Sequence, residues 1–343
     1  MNELIGDNKI IVVCGPGGVG KTSSSAAIAL YAATTQHKKV LVVTIDPARR
    51  LATALGLDTV SNTPQRVVLP DHPDAELYAA MLDAGAAWDQ LIKVCAPDDA
   101  TAATILAHPL YPNISQRFVQ SREYVAADVV YTLSQSNEFD LIVVDTPPSR
   151  NVLDFVNAPQ RMLEFLGSRF LQLLSVPSSN IIGRLATAPF YRVAHLLLGG
   201  DFFKQILEFF GLIRTLKPAF AQRAMGVQQL LRLPTTRTIT VTTPDLDVFA
   251  RASELRTALN EAGLHADTLL VNRVIAPAVG MPTDPAAASA RTDLDVVRRR
   301  QATILDVAGT TSQSVFTLPL LVSDDNRLRH LATLADGLQR HTL

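Results

Sequence analysis

Gly15-Pro16-Gly17-Gly18-Val19-Gly20-Lys21-Thr22 fills every fixed position of G-x-x-x-x-G-K-[ST], the spacing of a phosphate-binding loop. Each residue type answers a chemical need. Glycines let the backbone fold tightly enough to aim successive N–H groups at phosphate oxygens. A helix starting where the loop ends adds a favourable partial positive charge. Lys21 is expected to bridge the β- and γ-phosphates as a catalytic cation, and the Thr22 hydroxyl to coordinate Mg2+. Gly15, Gly17, Gly18, Val19, Gly20, Lys21, Thr22 and the next residue, Ser23, are therefore the expected contacts of a nucleoside triphosphate, taken as Mg-ATP.

Hydrolysis at such a loop calls for a second carboxylate on the magnesium side and a group that orients the attacking water. Asp145 closes the apolar run Leu141-Ile142-Val143-Val144, the pattern of a Walker B strand, and is expected to hold magnesium through a water ligand. Asp46 closes Leu41-Val42-Val43-Thr44-Ile45 and precedes Pro47, which forces a turn. That puts Asp46 at the γ-phosphate edge as a catalytic, water-orienting residue or as a group that holds a magnesium-bound water. Without the loop, each acid would read as an N-cap or turn residue; with it, the functional reading takes precedence.

Residues of this kind need strand ends and helix starts to position them. Short β-branched runs occur at Lys9–Cys14, Val40–Ile45, Leu77–Leu82, Phe139–Asp145, Arg237–Thr243, Thr268–Asn272 and Val315–Leu318. Several are apolar at consecutive positions, as strands covered on both faces are. Helical segments fall between most of them, among them Lys21–Gln36 and Leu246–Ala262. The fold class read from this alternation is α/β: a P-loop NTPase with a doubly wound, mostly parallel sheet, whose ligands bind at the carboxyl ends of the strands. Two long stretches, about 84–136 and 151–233, lack convincing strands and read as a helical subdomain inserted into one nucleotide-binding domain spanning 1–343. Ala276–Ala290, rich in proline and alanine, reads as a surface loop.

Composition excludes several classes. A net charge of −1 gives no electrostatic basis for nucleic-acid binding. The most apolar region, Tyr191–Ile213, is interrupted by Arg192, His195, Asp201, Lys204 and Glu208, so a membrane-spanning helix is rejected. The first nine residues carry acids and no apolar run, so a secretory leader is not expected and a cytoplasmic location is. Cys14 and Cys95 offer no disulfide framework and no zinc cluster; Cys14, within an apolar run, reads as a buried, inert thiol.

Over essentially its whole length the chain resembles the ArsA-type ATPases, the family of the arsenite-pump ATPase and the guided-entry tail-anchored protein targeting ATPase. The resemblance rests on the loop and first helix, on Asp46-Pro47-Ala48 with Leu51 as a first switch, and on Asp145-Thr146-Pro147-Pro148 with Leu153 as a second. Val241–Asp245, Asn272 and Pro319-Leu320-Leu321 complete it. It implies that Asn272 contacts the adenine base, that Pro319 belongs to a loop closing over that base, and that the protein is a dimer closing on ATP.

The departures from the family pattern are informative. Pro16 stands where relatives carry a lysine that reaches the partner's phosphates. A trans cation of this kind is comparable to arginine fingers worth about 10³–10⁵ in rate. Arg49, Arg50 and Arg150 are compensators on one reading and solvated surface residues on the other; a heterodimer with an ArsA-like paralogue would supply the charge instead. Two distant cysteines provide neither a zinc clamp nor a metalloid site. In relatives, the region matching Asn151–Phe220 forms a groove for a client's membrane helix. Here its Leu, Phe and Ile stripes read first as subdomain core, with a hydrophobic-client groove as the alternative. The expected function is a Mg-ATP hydrolase, homo- or heterodimeric, that handles hydrophobic protein clients; a weakly hydrolytic regulatory subunit and an accessory ATPase of a membrane pump are the alternatives.

Overall fold

A computed structural model describes residues 2–45, 50–57, 62–112, 121–146, 150–169, 200–275, 288–312, 314–321 and 327–341. The strands are β1 Ile10–Cys14, β2 Val40–Thr44, β3 Gln65–Arg66, β4 Leu77–Met81, β5 Leu141–Asp145, β6 Thr236–Thr242, β7 Thr268–Val274, β8 Ser314–Pro319 and β9 Gln339–Arg340. The helices are α1 Asn2–Ile5, α2 Lys21–Thr34, α3 Arg50–Ala54, α4 Ala84–Cys95, α5 Asp99–Leu106, α6 Ser121–Gln135, α7 Arg150–Gly167, α8 Gly200–Leu231, α9 Leu246–Glu261, α10 Ala288–Thr311 and α11 Arg327–Gly337. The chain divides into two compact units. One spans Met1–Leu82, Thr132–Leu153 and Leu230–Leu343; the other spans Asp83–Tyr131 and Asp154–Gln229.

The first unit is built on one nine-stranded sheet in the order β3-β4-β2-β5-β1-β6-β7-β8-β9. All pairs are parallel except β3–β4 and β8–β9 at the two edges. Every residue of β1, β2 and β5 is buried, which explains their unbroken apolar runs: both faces are covered, so no face demands polar residues. One face packs Ile11, Val13, Val143, Val241 and Phe316 against Ile28 and Ala29 of α2 and Leu331 and Leu334 of α11. Burying one such Leu, Ile or Phe side chain contributes about 1.5–3 kcal/mol. On the same side as that core, α2 is dominated by buried Ala and Ser, short side chains that let a helix lie close to a sheet. The hydroxyls of Ser24 and Ser25 are buried with no hydrogen-bond partner among the described residues. Elsewhere on the sheet, Leu269, Val271 and Val315 pack on Leu305 and Ala308 of α10.

The doubly wound parallel sheet read from the sequence is present. Two differences are instructive. The edge strands β3 and β9 have two residues each, too few for any period to show. Helix α10 begins at Ala288, so the last residues of the expected 276–290 loop are helical; 276–287 lie outside the described residues.

The second unit is helical. Asp83 starts α4 by accepting from the Gly85 and Ala86 amides at 2.9 and 3.2 Å, and Asp98 starts α5 by accepting from Thr101 N at 2.7 Å. Its core includes Trp88 near Tyr124 and Phe220, with ring centroids 6.4 and 6.1 Å away. Helix α6 is tied to α8 by a bidentate pair, Arg223 Nε and Nη2 to the Asp128 carboxylate at 2.7 and 2.9 Å. An apolar cavity lined in part by Trp88, Ile92, Met162, Phe165, Phe210 and Phe220 has a volume of about 40 Å³. Among the described residues no helix is long and apolar enough to cross a membrane.

Candidate nucleotide site

The site forms where the sheet reverses its winding. β1 lies between β5 and β6, so the loop leaving β1 opens at a topological switch point, the place where open α/β sheets bind ligands. Gly15 leaves β1 so close to β6 that a Cβ there would sit 2.3 Å from the Val241 carbonyl oxygen. Gly20 closes the loop at φ 90°, and its Cβ would sit 2.3 Å from Asn272 Nδ2. At both positions only glycine fits. Between them Gly17 and Gly18 are exposed, whereas Val19 anchors the loop in the core.

Helix α2 starts at Lys21 with no side-chain cap on its first amides and no acid in its first turn. Its N-terminal N–H groups and dipole are therefore directed to whatever the loop holds, and they favour an anion. Lys21 is buried, with its ammonium donating to the carbonyls of Gly15 and Pro16, both at 3.1 Å. A cation is thus folded over the loop by its own backbone.

The magnesium-side residues converge as well. Asp145 ends β5 in register with Val13 of β1 and Thr44 of β2. Its Oδ2 accepts from the Thr22 hydroxyl at 2.9 Å and the Thr44 hydroxyl at 3.1 Å. The next residue, Thr146, ties back to Val13 O through its hydroxyl at 2.8 Å. Asp145 is 1 % exposed. A hydroxyl and a carboxylate beside a phosphate loop are hard oxygen donors, the set Mg2+ prefers. Among the described residues no group of three or more His, Cys, Asp or Glu could hold a metal.

The family model described as anion-transporting ATPase, ArsA ATPase, matches residues 8–321, nearly the whole chain and every residue of the loop, Lys21, Thr22, Thr44 and Asp145. The chain belongs to the ArsA ATPase family. It is 26 % identical over 288 residues to ATPase ARSA1 of Chlamydomonas reinhardtii, covering 78 % of this chain and 35 % of that protein. A protein of Aquifex aeolicus, provisionally named arsenical pump-driving ATPase 1, is 22 % identical over 273 residues, 78 % of this chain and 63 % of the relative. ATPase GET3 of Candida glabrata is 27 % identical over 176 residues, 46 % and 47 % respectively. The chain thus spans between about a third and two thirds of the length of these relatives.

Set against the ArsA pattern, the remaining expected residues fall in three groups. Asp46, Pro47, Ala48, Arg49, Pro147 and Pro148 lie outside the described residues, as do the side chains of Arg150 and Asn151. The chain is nonetheless fixed up to the residue before Asp46, since Ile45 N donates to Asp145 O at 3.1 Å. Asn272 and Pro319 are described but not isolated. The Asn272 amide donates to Val19 O at 2.8 Å and accepts from Arg273 N at 2.9 Å. Pro319 pairs with Val274 and packs so tightly on Gly337 that a Cβ there would lie 2.7 Å from its ring. Pro16, where the family lysine stands, is buried. Thr44 and Arg273 were not singled out from the sequence. Thr44 looks like any strand residue, and Arg273 acts through a β-bulge that no local pattern reveals. Cys14 is buried against Ile239 O, and burial pushes its thiol up to about 12.

Proposed function

We propose that this ArsA-family chain binds and hydrolyses Mg-ATP. The observation that carries the reading is the convergence, at one loop, of an uncapped helix start, the Lys21 ammonium and the Thr22–Asp145 pair. Loop amides and Lys21 would hold the β- and γ-phosphates. Thr22 would ligate Mg2+ directly and Asp145 through water, and the ion would neutralise charge developing on the phosphate oxygens. Asp46 would orient the attacking water. Asn272, which has a second amide hydrogen beyond the one given to Val19, and Pro319 would meet the adenine. The test is titration with a fluorescent ATP analogue beside a phosphate-release assay. Lys21→Ala should lose both signals, and Asp46→Asn should keep binding and lose release. Full release by either variant would overturn its assignment.

We further propose a dimer with hydrophobic protein clients, a reading supported by the GET3 relative and by the aromatic lining of the helical unit. The described cavity, about 40 Å³, is well below the roughly 150 Å³ of an apolar cavity that admits a single benzene. A client helix would therefore require that unit to open. Pro16 favours a second reading, in which the chain is a weakly hydrolytic partner of a lysine-bearing ArsA-like subunit. Mass and turnover of the purified chain alone separate the two: a monomer without turnover supports the heteromer, and an active homodimer removes it.

A further inference from the structure

Peptide planes impose a rule on any phosphate loop. The C=O of one residue and the N–H of the next point in opposite directions. Whatever holds the carbonyls outward therefore aims the amides inward. In this loop the carbonyls are held by named donors. Ser24 N takes that of Gly20 at 2.8 Å, whereas those of Gly15 and Pro16 go to the Lys21 ammonium itself. Those of Gly18 and Val19 are held from β7: Asn272 Nδ2 donates to Val19 O at 2.8 Å, and Arg273 Nη2 donates to Gly18 O at 2.9 Å. The last two bonds direct the N–H groups of Val19 and Gly20 away from β7.

The backbone around Arg273 is shaped for this contact. Pairing of β7 with β8 breaks register between Val271 and Val274, a bulge that re-aims the side chains it carries. Arg273 sits at φ 62°, a left-handed conformation that a long, non-glycine side chain adopts only at a cost, about 1–3 kcal/mol. The conformation is fixed from several sides. Arg273 N donates to Asn272 Oδ1. Leu320 N donates to Val274 O at 2.8 Å. Gln301 of α10 clamps Ile275 by both its N–H and its C=O, at 2.8 and 3.1 Å. The segment from Asn272 to Ile275 thus joins the phosphate loop at one end to the Pro319-Leu320 end of β8 at the other.

We propose that Arg273 is a positioning residue: its guanidinium, directed by the bulge onto Gly18 O, sets the amides of Val19 and Gly20 for phosphate and links the phosphate loop to the Pro319 end of β8. The assignment rests on the nucleotide-binding reading above. It predicts that strain at residue 273 is kept for function, so relieving it should separate stability from binding.

Arg273→Gly, which suits a positive φ, and Arg273→Ala are compared with Arg273→Lys, which keeps one charged donor. The probes are a fluorescent ATP analogue with Mg2+, thermal melting without nucleotide, and hydrogen exchange at the Val19 and Gly20 amides without nucleotide. Arg273→Gly should melt at or above the wild-type temperature yet bind about fivefold to twentyfold more weakly, a loss of about 1–2 kcal/mol at the usual tenfold per 1.4 kcal/mol. Its Val19 and Gly20 amides should exchange faster, and Arg273→Lys should recover most of the affinity. A merely structural arginine would instead lower the melting temperature and leave affinity in the folded fraction unchanged. Wild-type affinity and exchange in both Arg273→Gly and Arg273→Ala would overturn the assignment. If wild-type protein binds no ATP analogue, the nucleotide reading fails, while exchange at Val19 and Gly20 still decides whether Arg273 orders the loop.

Discussion

Each unit of the chain buries a cation, and the two are held in contrasting ways. In the sheet unit Lys21 donates to the backbone carbonyls of Gly15 and Pro16 at 3.1 Å. In the helical unit Arg223 forms a bidentate fork with Asp128 at 2.7 and 2.9 Å, with its guanidinium 5.5 Å from the Tyr131 ring centroid. A carbonyl is a neutral acceptor, so its bond to Lys21 lacks the ion–ion attraction and strength that a phosphate oxygen would add. The carboxylate fork already has that strength. The first arrangement keeps a cation exchangeable within a loop. The second commits one to joining α6 and α8. A buried cation alone thus says little about function; its acceptors say more.

The comparison can be broken by mutation. Lys21→Ala should lower ATP turnover by on the order of 10²–10³, the scale of removing one preorganised charge at a transition state, while urea midpoints stay near wild type. Arg223→Ala should do the reverse. It removes the bidentate partner of Asp128, whose side chain is 7 % exposed, and should cost about 3 kcal/mol in denaturant unfolding. A stable Arg223→Ala protein, or a Lys21→Ala protein that unfolds, would reverse the assignments. Pro16→Lys should raise turnover, by roughly tenfold or more, only at concentrations where the chain is dimeric; an equal rate at all concentrations would show that no trans cation is missing.

The phosphate loop was legible because phosphate chemistry and backbone geometry dictate each of its residues, and the apolar strand before it and the small-residue helix after it agree with it. Asp145 was legible for the same reason, as an acid ending an apolar run. Arg273 was not, because its contact joins residues far apart in sequence through a bulge, and neither the pairing nor the bulge leaves a local pattern. Nor did the sequence distinguish Thr44 from other strand residues, since its hydroxyl matters only after β2 and β5 come into register. In the helical unit, the stripes of Leu and Phe announced helices, but the Asp128–Arg223 partnership depends on how α6 and α8 pack.

The smallest expected effect uses the two thiols, one in each unit. Burial pushes both Cys14 and Cys95 up to about 12 from an ordinary 9.0. A raised folded value means that each contributes stability intact below pH 9 and lost as the pH rises from there toward about 12. With the other cysteine replaced by alanine, the labelling rate of each thiol at pH 8 reports opening of its own unit. Cys95 labelling faster than Cys14 would show that the helical unit opens more easily; equal rates matching global unfolding would show that neither opens alone.

The outermost strands of the sheet have a consequence for how copies of the protein meet. Both edges end in two-residue antiparallel strands with the same dipeptide, Gln65-Arg66 in β3 and Gln339-Arg340 in β9. A long bare edge would offer a ladder of unpaired amides and carbonyls for another chain to continue. These edges offer two residues and an arginine. Short, arginine-bearing edge strands of this kind disfavour strand-to-strand growth into aggregates at both ends of the nine-stranded sheet.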